Sequence, residues 1–128
     1  MQQGDKQVLG RDVRGPIGAE GLDAAPWSHG ETDATVEFTT NELTATCPIT
    51  GQPDFYELKL SYRPKDSLIE SKSLKLYLAR FRNEGAFAEA LAVRIKDDVA
   101  AALELDRSAV TVTLTQKPRG GITINATA

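Results

Sequence analysis

Cys47 is the only cysteine of the chain, and it stands in TATCPITGQPDFYE, residues 44–57, among turn formers and seven positions before Asp54. A thiol is a competent nucleophile because even the small ionised fraction present at neutral pH reacts readily. A neighbouring carboxyl group can move the proton that such an attack requires. Loop positions carry chemistry more often than core positions do, although a lone cysteine also serves as a small buried apolar residue. Asp54 has a plain reading too, as the aspartate of a turn or a strand start.

Three further stretches carry suitable groups. In ESKSLKLY, residues 70–77, Ser71 or Ser73 is placed to cap a helix, and Lys72 and Lys75 are neighbours on its surface. Two ammonium groups beside a helix N-terminus suit a phosphate, or they are simply a solvated helix start. Glu89 falls two residues after Phe87, off the apolar stripe of the next helix, where a surface charge is equally at home. In KPRGGI, residues 117–122, Arg119 offers a fork for phosphate or a planar ligand, and Gly120 and Gly121 permit close backbone approach or a plain turn.

The elements that must position these residues are legible from periodicity. Residues 35–40, 55–62, 109–115 and 121–126 alternate apolar and polar side chains, the pattern of half-covered antiparallel strands. The apolar sets are Val36 and Phe38; Tyr56, Leu58, Leu60 and Tyr62; Val110, Val112 and Leu114; and Ile122 and Ile124. Between the strand pairs, Leu74, Tyr77, Leu78 and Phe81 fit one amphipathic helix. Phe87, Leu91, Ile95, Val99 and Leu103 fit a second, with a break at RNEG (82–85) hinged on Gly85. The expected fold is α+β: ββααββ, a four-stranded antiparallel sheet with two helices on one face. Its open sheet edges are a liability, so an oligomeric barrel with active sites between subunits is expected.

Residues 1–33 hold six of the ten glycines and two prolines, and read as an extended N-terminal arm anchored by Trp27, with residues 34–128 as the catalytic domain. A net charge of -3 gives no basic field for nucleic acid or anionic membrane, and no apolar run is long enough to span a bilayer. One cysteine and one histidine, His29, are too few for a structural zinc site. A single unpaired thiol fits a reducing cytoplasm.

Taken together, CPITGQPDF, ESKSLKLYLARFRNEG, Glu89 and PRGGI closely resemble the 7-cyano-7-deazaguanine reductases, the single-domain nitrile reductases of queuosine biosynthesis. These are tunnelling-fold proteins related to GTP cyclohydrolase I. The resemblance spans about residues 34–125. It implies that Cys47 adds to the substrate nitrile to give a thioimide, that Asp54 supplies the proton, and that NADPH delivers two hydrides. It further implies that Glu89, Ile69, Glu70 and Ser71 bind the deazapurine, and that Lys72, Lys75 and Arg119 form the cationic side of the cofactor site. Stacked homo-oligomeric rings are implied as well, and no metal. The pattern departs at Ala88, where such reductases usually carry a histidine before the glutamate. Two alternatives stay open: a relative that passes the thioimide to ammonia to form an amidine, and a non-catalytic deazapurine-binding protein.

Overall fold

Tyr56, Leu58, Leu60 and Tyr62 alternate with Glu57, Lys59 and Ser61, and all four apolar members are buried. In the computed structural model, which describes residues 18–128, they lie on strand β3 (Pro53–Tyr62). It sits inside an antiparallel sheet ordered β2 (Val36–Thr46), β3, β5 (Val110–Arg119), β6 (Ile122–Thr127). Helices α1 (Ser71–Ala79) and α2 (Ala88–Leu103) cover one face, joined through a 3-10 turn at Arg80–Asn83. The core lies between them, where Leu74, Tyr77 and Phe81 meet Leu91, Ile95, Val99 and the apolar faces of β3 and β5. The expected ββααββ order holds. A second, two-stranded sheet is added, pairing β1 (Ala24–Pro26) with β4 (Ser67–Ile69). No helix of the described residues is long and apolar enough to cross a membrane.

Several local expectations are corrected. β2 runs on to Thr46 rather than stopping at 40, because the pairing register slips between Thr40 and Leu43. A bulge of this kind reverses side-chain parity. Phe38 therefore lies opposite Leu60, Leu43 lies opposite Tyr56, and both pairs face the helices. Phe87 caps α2 from outside its stripe and is 52% exposed; Ile122, read as apolar-face, is 68% exposed. The α1 cap is neither Ser71 nor Ser73 but Glu70, whose carboxylate accepts from the backbone N–H groups of Lys72 and Ser73 at 2.9 and 2.8 Å. Gly85 is not a free hinge, since it bridges Thr46.

The segment entering α1 is fastened to the body by β3. The Tyr62 hydroxyl accepts from the Ile69 N–H at 3.0 Å, and both residues are buried. A buried N–H deprived of its partner costs about 1–3 kcal/mol, so this bond fixes where Glu70 begins the helix. The uncovered sheet face carries Thr39, Lys59, Thr113 and Thr115 around a shallow concavity of about 600 Å³.

Candidate active site

The last residue of β2 is held from both sides. Thr46 lies opposite Pro53 in the sheet. On its other side its N–H donates to the Glu84 carbonyl at 2.9 Å, and its carbonyl accepts from the Ala86 N–H at 3.1 Å. Cys47 follows directly and opens a short loop. Its N–H donates to the Gln52 carbonyl and its carbonyl accepts from the Gly51 N–H, each at 2.8 Å. Gly51 closes the loop at φ 73°, a left-handed conformation that glycine adopts without steric cost.

This loop activates the thiol. Cys47 is partly exposed, and its pKa lies below the ordinary thiol value. The side-chain hydrogen bond of Thr50 contributes most, followed by the backbone groups of Thr50 and Ile49. The Thr50 oxygen itself accepts from the Gln52 N–H at 3.2 Å, which leaves its proton to point at sulfur. The negative charge of Asp54 works the other way and opposes ionisation. The loop therefore supports a thiolate beside the carboxylate of Asp54.

Asp54 faces the helix side, opposite Ala45, and is only 6% exposed. Arg119 Nε lies 3.1 Å from its Oδ1, and Gln116 Nε2 reaches the same oxygen at 3.4 Å. Arg119 Nη2 also donates to the Pro53 carbonyl at 3.3 Å. Both side-chain contacts fall on Oδ1. Arg119 comes from the end of β5, where Gly120 and Gly121 take φ 58° and 80° between the paired residues Arg119 and Ile122. That is a two-residue hairpin of the type that demands positive φ at both positions. An added Cβ meets nothing within 4 Å at either glycine, so they serve the turn rather than a close approach.

Glu89 lies in the first turn of α2 and is exposed. It is three residues beyond Ala86, hence close to the Thr46 anchor. Cys47, Asp54, Glu89 and Arg119 all act electrostatically on one phenol, that of Tyr56. Burial pushes that phenol up to about 12, and the charges of Asp54, Glu89 and Cys47 add to the effect, while Arg119 opposes it. The thiol, the two carboxylates and the guanidinium therefore form one cluster.

The remaining candidates lie around the start of α1. Ile69 is a core residue held by Tyr62. Glu70 is held by its capping bonds, and these N–H donors keep its carboxyl below the usual range. Ser71, Lys72 and Lys75 are exposed. Ser71 and Lys75 line a cleft of about 400 Å³ between α1 and β2, with Phe38, Leu43 and Leu74 among its walls. Asp54 and Tyr62 are eight residues apart on β3, roughly 25 Å at strand rise. Arg119 stands with Asp54, whereas Lys75 lines the cleft between α1 and β2. Sequence reasoning missed Thr50, Gln116 and Tyr56. Only the strand parity shared by Asp54 and Tyr56 could have signalled the last. Among the described residues no cluster of histidine, cysteine, aspartate and glutamate is arranged to hold a metal.

Replacing Thr50 with alanine is expected to raise the pH midpoint of Cys47 alkylation by iodoacetamide, because the largest support of the thiolate is lost. Rates below the midpoint should fall accordingly. An unchanged profile would refute the assigned role of the Thr50 hydroxyl.

Comparison with known proteins gives a consistent picture. A family model described as QueF-like protein matches residues 53–128. The NADPH-dependent 7-cyano-7-deazaguanine reductase of Bradyrhizobium sp. (strain BTAi1 / ATCC BAA-1182) is 46% identical over 119 residues, covering 91% of this chain and 74% of that protein. The reductase of the same name from Syntrophus aciditrophicus (strain SB) is 44% identical over 121 residues, covering 94% and 83%. The crystal structure of the archaeosine synthase QueF-Like in the apo form superposes with a TM-score of 0.66 at 23% identity, covering 76% of this chain and 93% of that one, a likeness of fold. Sequence match and fold agree: the chain belongs to the QueF-like family of 7-cyano-7-deazaguanine reductases.

Proposed function

We infer that this chain is an NADPH-dependent reductase. It converts the nitrile of 7-cyano-7-deazaguanine to the aminomethyl group of 7-aminomethyl-7-deazaguanine, in queuosine biosynthesis. The observation that carries this reading is a thiol of lowered pKa at Cys47, clustered with Asp54 and Glu89, in a chain 46% identical to a reductase so named.

The chemistry assigns a task to each group. Addition of the Cys47 thiolate to the nitrile carbon forms a C–S bond and turns C≡N into the C=N of a thioimide, a better hydride acceptor. The displaced thiol proton passes to Asp54 Oδ2 and on to the nitrogen, so no anion builds up there. Arg119 and Gln116 hold the other carboxylate oxygen and fix its direction. The exposed carboxylate of Glu89 accepts from the N–H edge of the deazapurine. NADPH, when bound, would supply the two hydrides that, with two protons, take the nitrile to the amine; between them the C–S bond breaks, leaving an imine and returning the Cys47 thiolate.

Lys72 and Lys75 are exposed cations beside a partly apolar cleft, a fit for a phosphorylated cofactor with planar rings. We assign the lysines of one chain, with Ile69, Glu70 and Ser71, to a site completed by Cys47 of a neighbouring copy. The open edges of β2 and β6 support such an assembly. Residues 34–128 then form the catalytic domain with 1–33 as an arm, of which 1–17 lie outside the described residues. A reducing cytoplasm suits the free nucleophilic thiol.

Purified protein given 7-cyano-7-deazaguanine should consume two NADPH per amine formed, by the electron count of the reaction. Turnover that requires ammonia and ignores NADPH would contradict the assignment. Shared sites make a second expectation: inactive Cys47→Ala protein and inactive Lys72→Ala/Lys75→Ala protein should recover activity when their subunits are mixed and reassembled. Mixtures that stay inactive would leave the two-chain site without support.

A further inference from the structure

Tyr56 is fully buried, at 0% exposure, yet its hydroxyl has no hydrogen-bond partner among the described residues. Buried hydroxyls are rarely left this way, because a lost bond to water is not replaced. The neighbours explain why nothing local satisfies it. Across the sheet Tyr56 lies opposite Leu43 on one side and Gln116 on the other. Leucine has no polar side-chain atom, and the Gln116 amide is directed to Asp54. Ala88, 2% exposed at the start of α2, offers no side-chain polar group either. The phenol shares a strand face with Asp54, two residues away, and Cys47 and Glu89 complete its electrostatic surroundings.

The shape of the substrate supplies the missing partner. Around the edge of 7-cyano-7-deazaguanine the N–H groups come first, then the carbonyl oxygen on C6, then the nitrile on C7. With the N–H edge on Glu89 and the nitrile on Cys47, the carbonyl falls between them. Resting on the functional reading above, we propose that the Tyr56 hydroxyl donates a hydrogen bond to the C6 carbonyl of the bound substrate, making Tyr56 a substrate-binding residue that selects a 6-oxo deazapurine. A phenol held to about 12 stays protonated at working pH and is a donor there. Because the oxygen is covered in the ligand-free chain, the substrate must shift a side chain at the rim, a common adjustment on binding. Phe87, 52% exposed at the start of α2 beside Ala88 and Glu89, is an exposed large apolar group next to these residues.

Tyr56→Phe removes the oxygen and keeps the ring, and it allows a test with two ligands. Dissociation constants are measured by calorimetry in a Cys47→Ala background, where no adduct forms. The ligands are 7-cyano-7-deazaguanine and its analogue lacking the carbonyl oxygen, and melting temperature is recorded for each variant. Tyr56→Phe should weaken binding of the nitrile substrate by about 10- to 100-fold and leave binding of the analogue unchanged. Melting temperature should stay the same or rise, since an unsatisfied group is deleted from the free protein. Unaltered binding of the substrate, or equal losses for both ligands with a lowered melting temperature, would overturn the proposal. Failure of the Tyr56-containing protein to bind the nitrile at all would overturn the reductase reading along with it, which separates the two failures.

Discussion

The site depends on how the end of β2 is gripped. Thr46 is paired with Pro53 in the sheet and with the segment 84–86 on its other flank. That one residue ties the strand carrying Asp54 to the start of the helix carrying Glu89, with Cys47 as the next residue along. The interaction is made of backbone hydrogen bonds, so it is indifferent to side-chain fluctuation and sets the separation of three functional groups at once. Cluster geometry held by regular elements is more exact than geometry held by loops alone. Here the loop 47–52 adds only what a loop does well, a set of N–H and O–H donors turned toward sulfur.

Opposing influences on the thiol then have a purpose. Donors from Thr50 and Ile49 favour the thiolate, while the Asp54 charge opposes it. In the proposed reaction, attack by sulfur is linked to movement of its proton to the neighbouring carboxylate, which suits an acceptor whose nitrogen needs that proton. Arg119 belongs to the same device through its contact with Asp54, although in sequence it reads as easily as a phosphate ligand. Its hairpin, not its charge, decides which it meets.

Much of this was legible in the order of residues. The period-two runs give β3 almost whole and β5 as far as Thr115, where its alternation ends, since both are central strands with a buried face. β2 was read short because a bulge changes parity at 40–43, and periodicity has no means of anticipating an unpaired residue. Phe87 and Ile122 extend the periodic apolar pattern of their elements, yet both sit where an element begins and the core does not reach beneath them. Ser71 and Ser73 looked like the α1 cap by residue type. Glu70 took that place because the Tyr62–Ile69 bond starts the helix one residue earlier. Of the site, Cys47, Asp54 and Glu89 were visible as chemistry. Thr50, Gln116 and Tyr56 were not, because their roles arise from neighbours across strands and loops rather than from spacing.

The central claim is that Cys47 forms a covalent bond with a nitrile while Asp54 and Glu89 hold the same molecule. Intact-mass spectrometry of the protein incubated with 7-cyano-7-deazaguanine in the absence of NADPH measures this directly. The expected spectrum shows each chain heavier by the mass of one substrate molecule, with the adduct absent from Cys47→Ala protein. A spectrum without any adduct, or with an adduct that survives the Cys47→Ala substitution, would contradict the account.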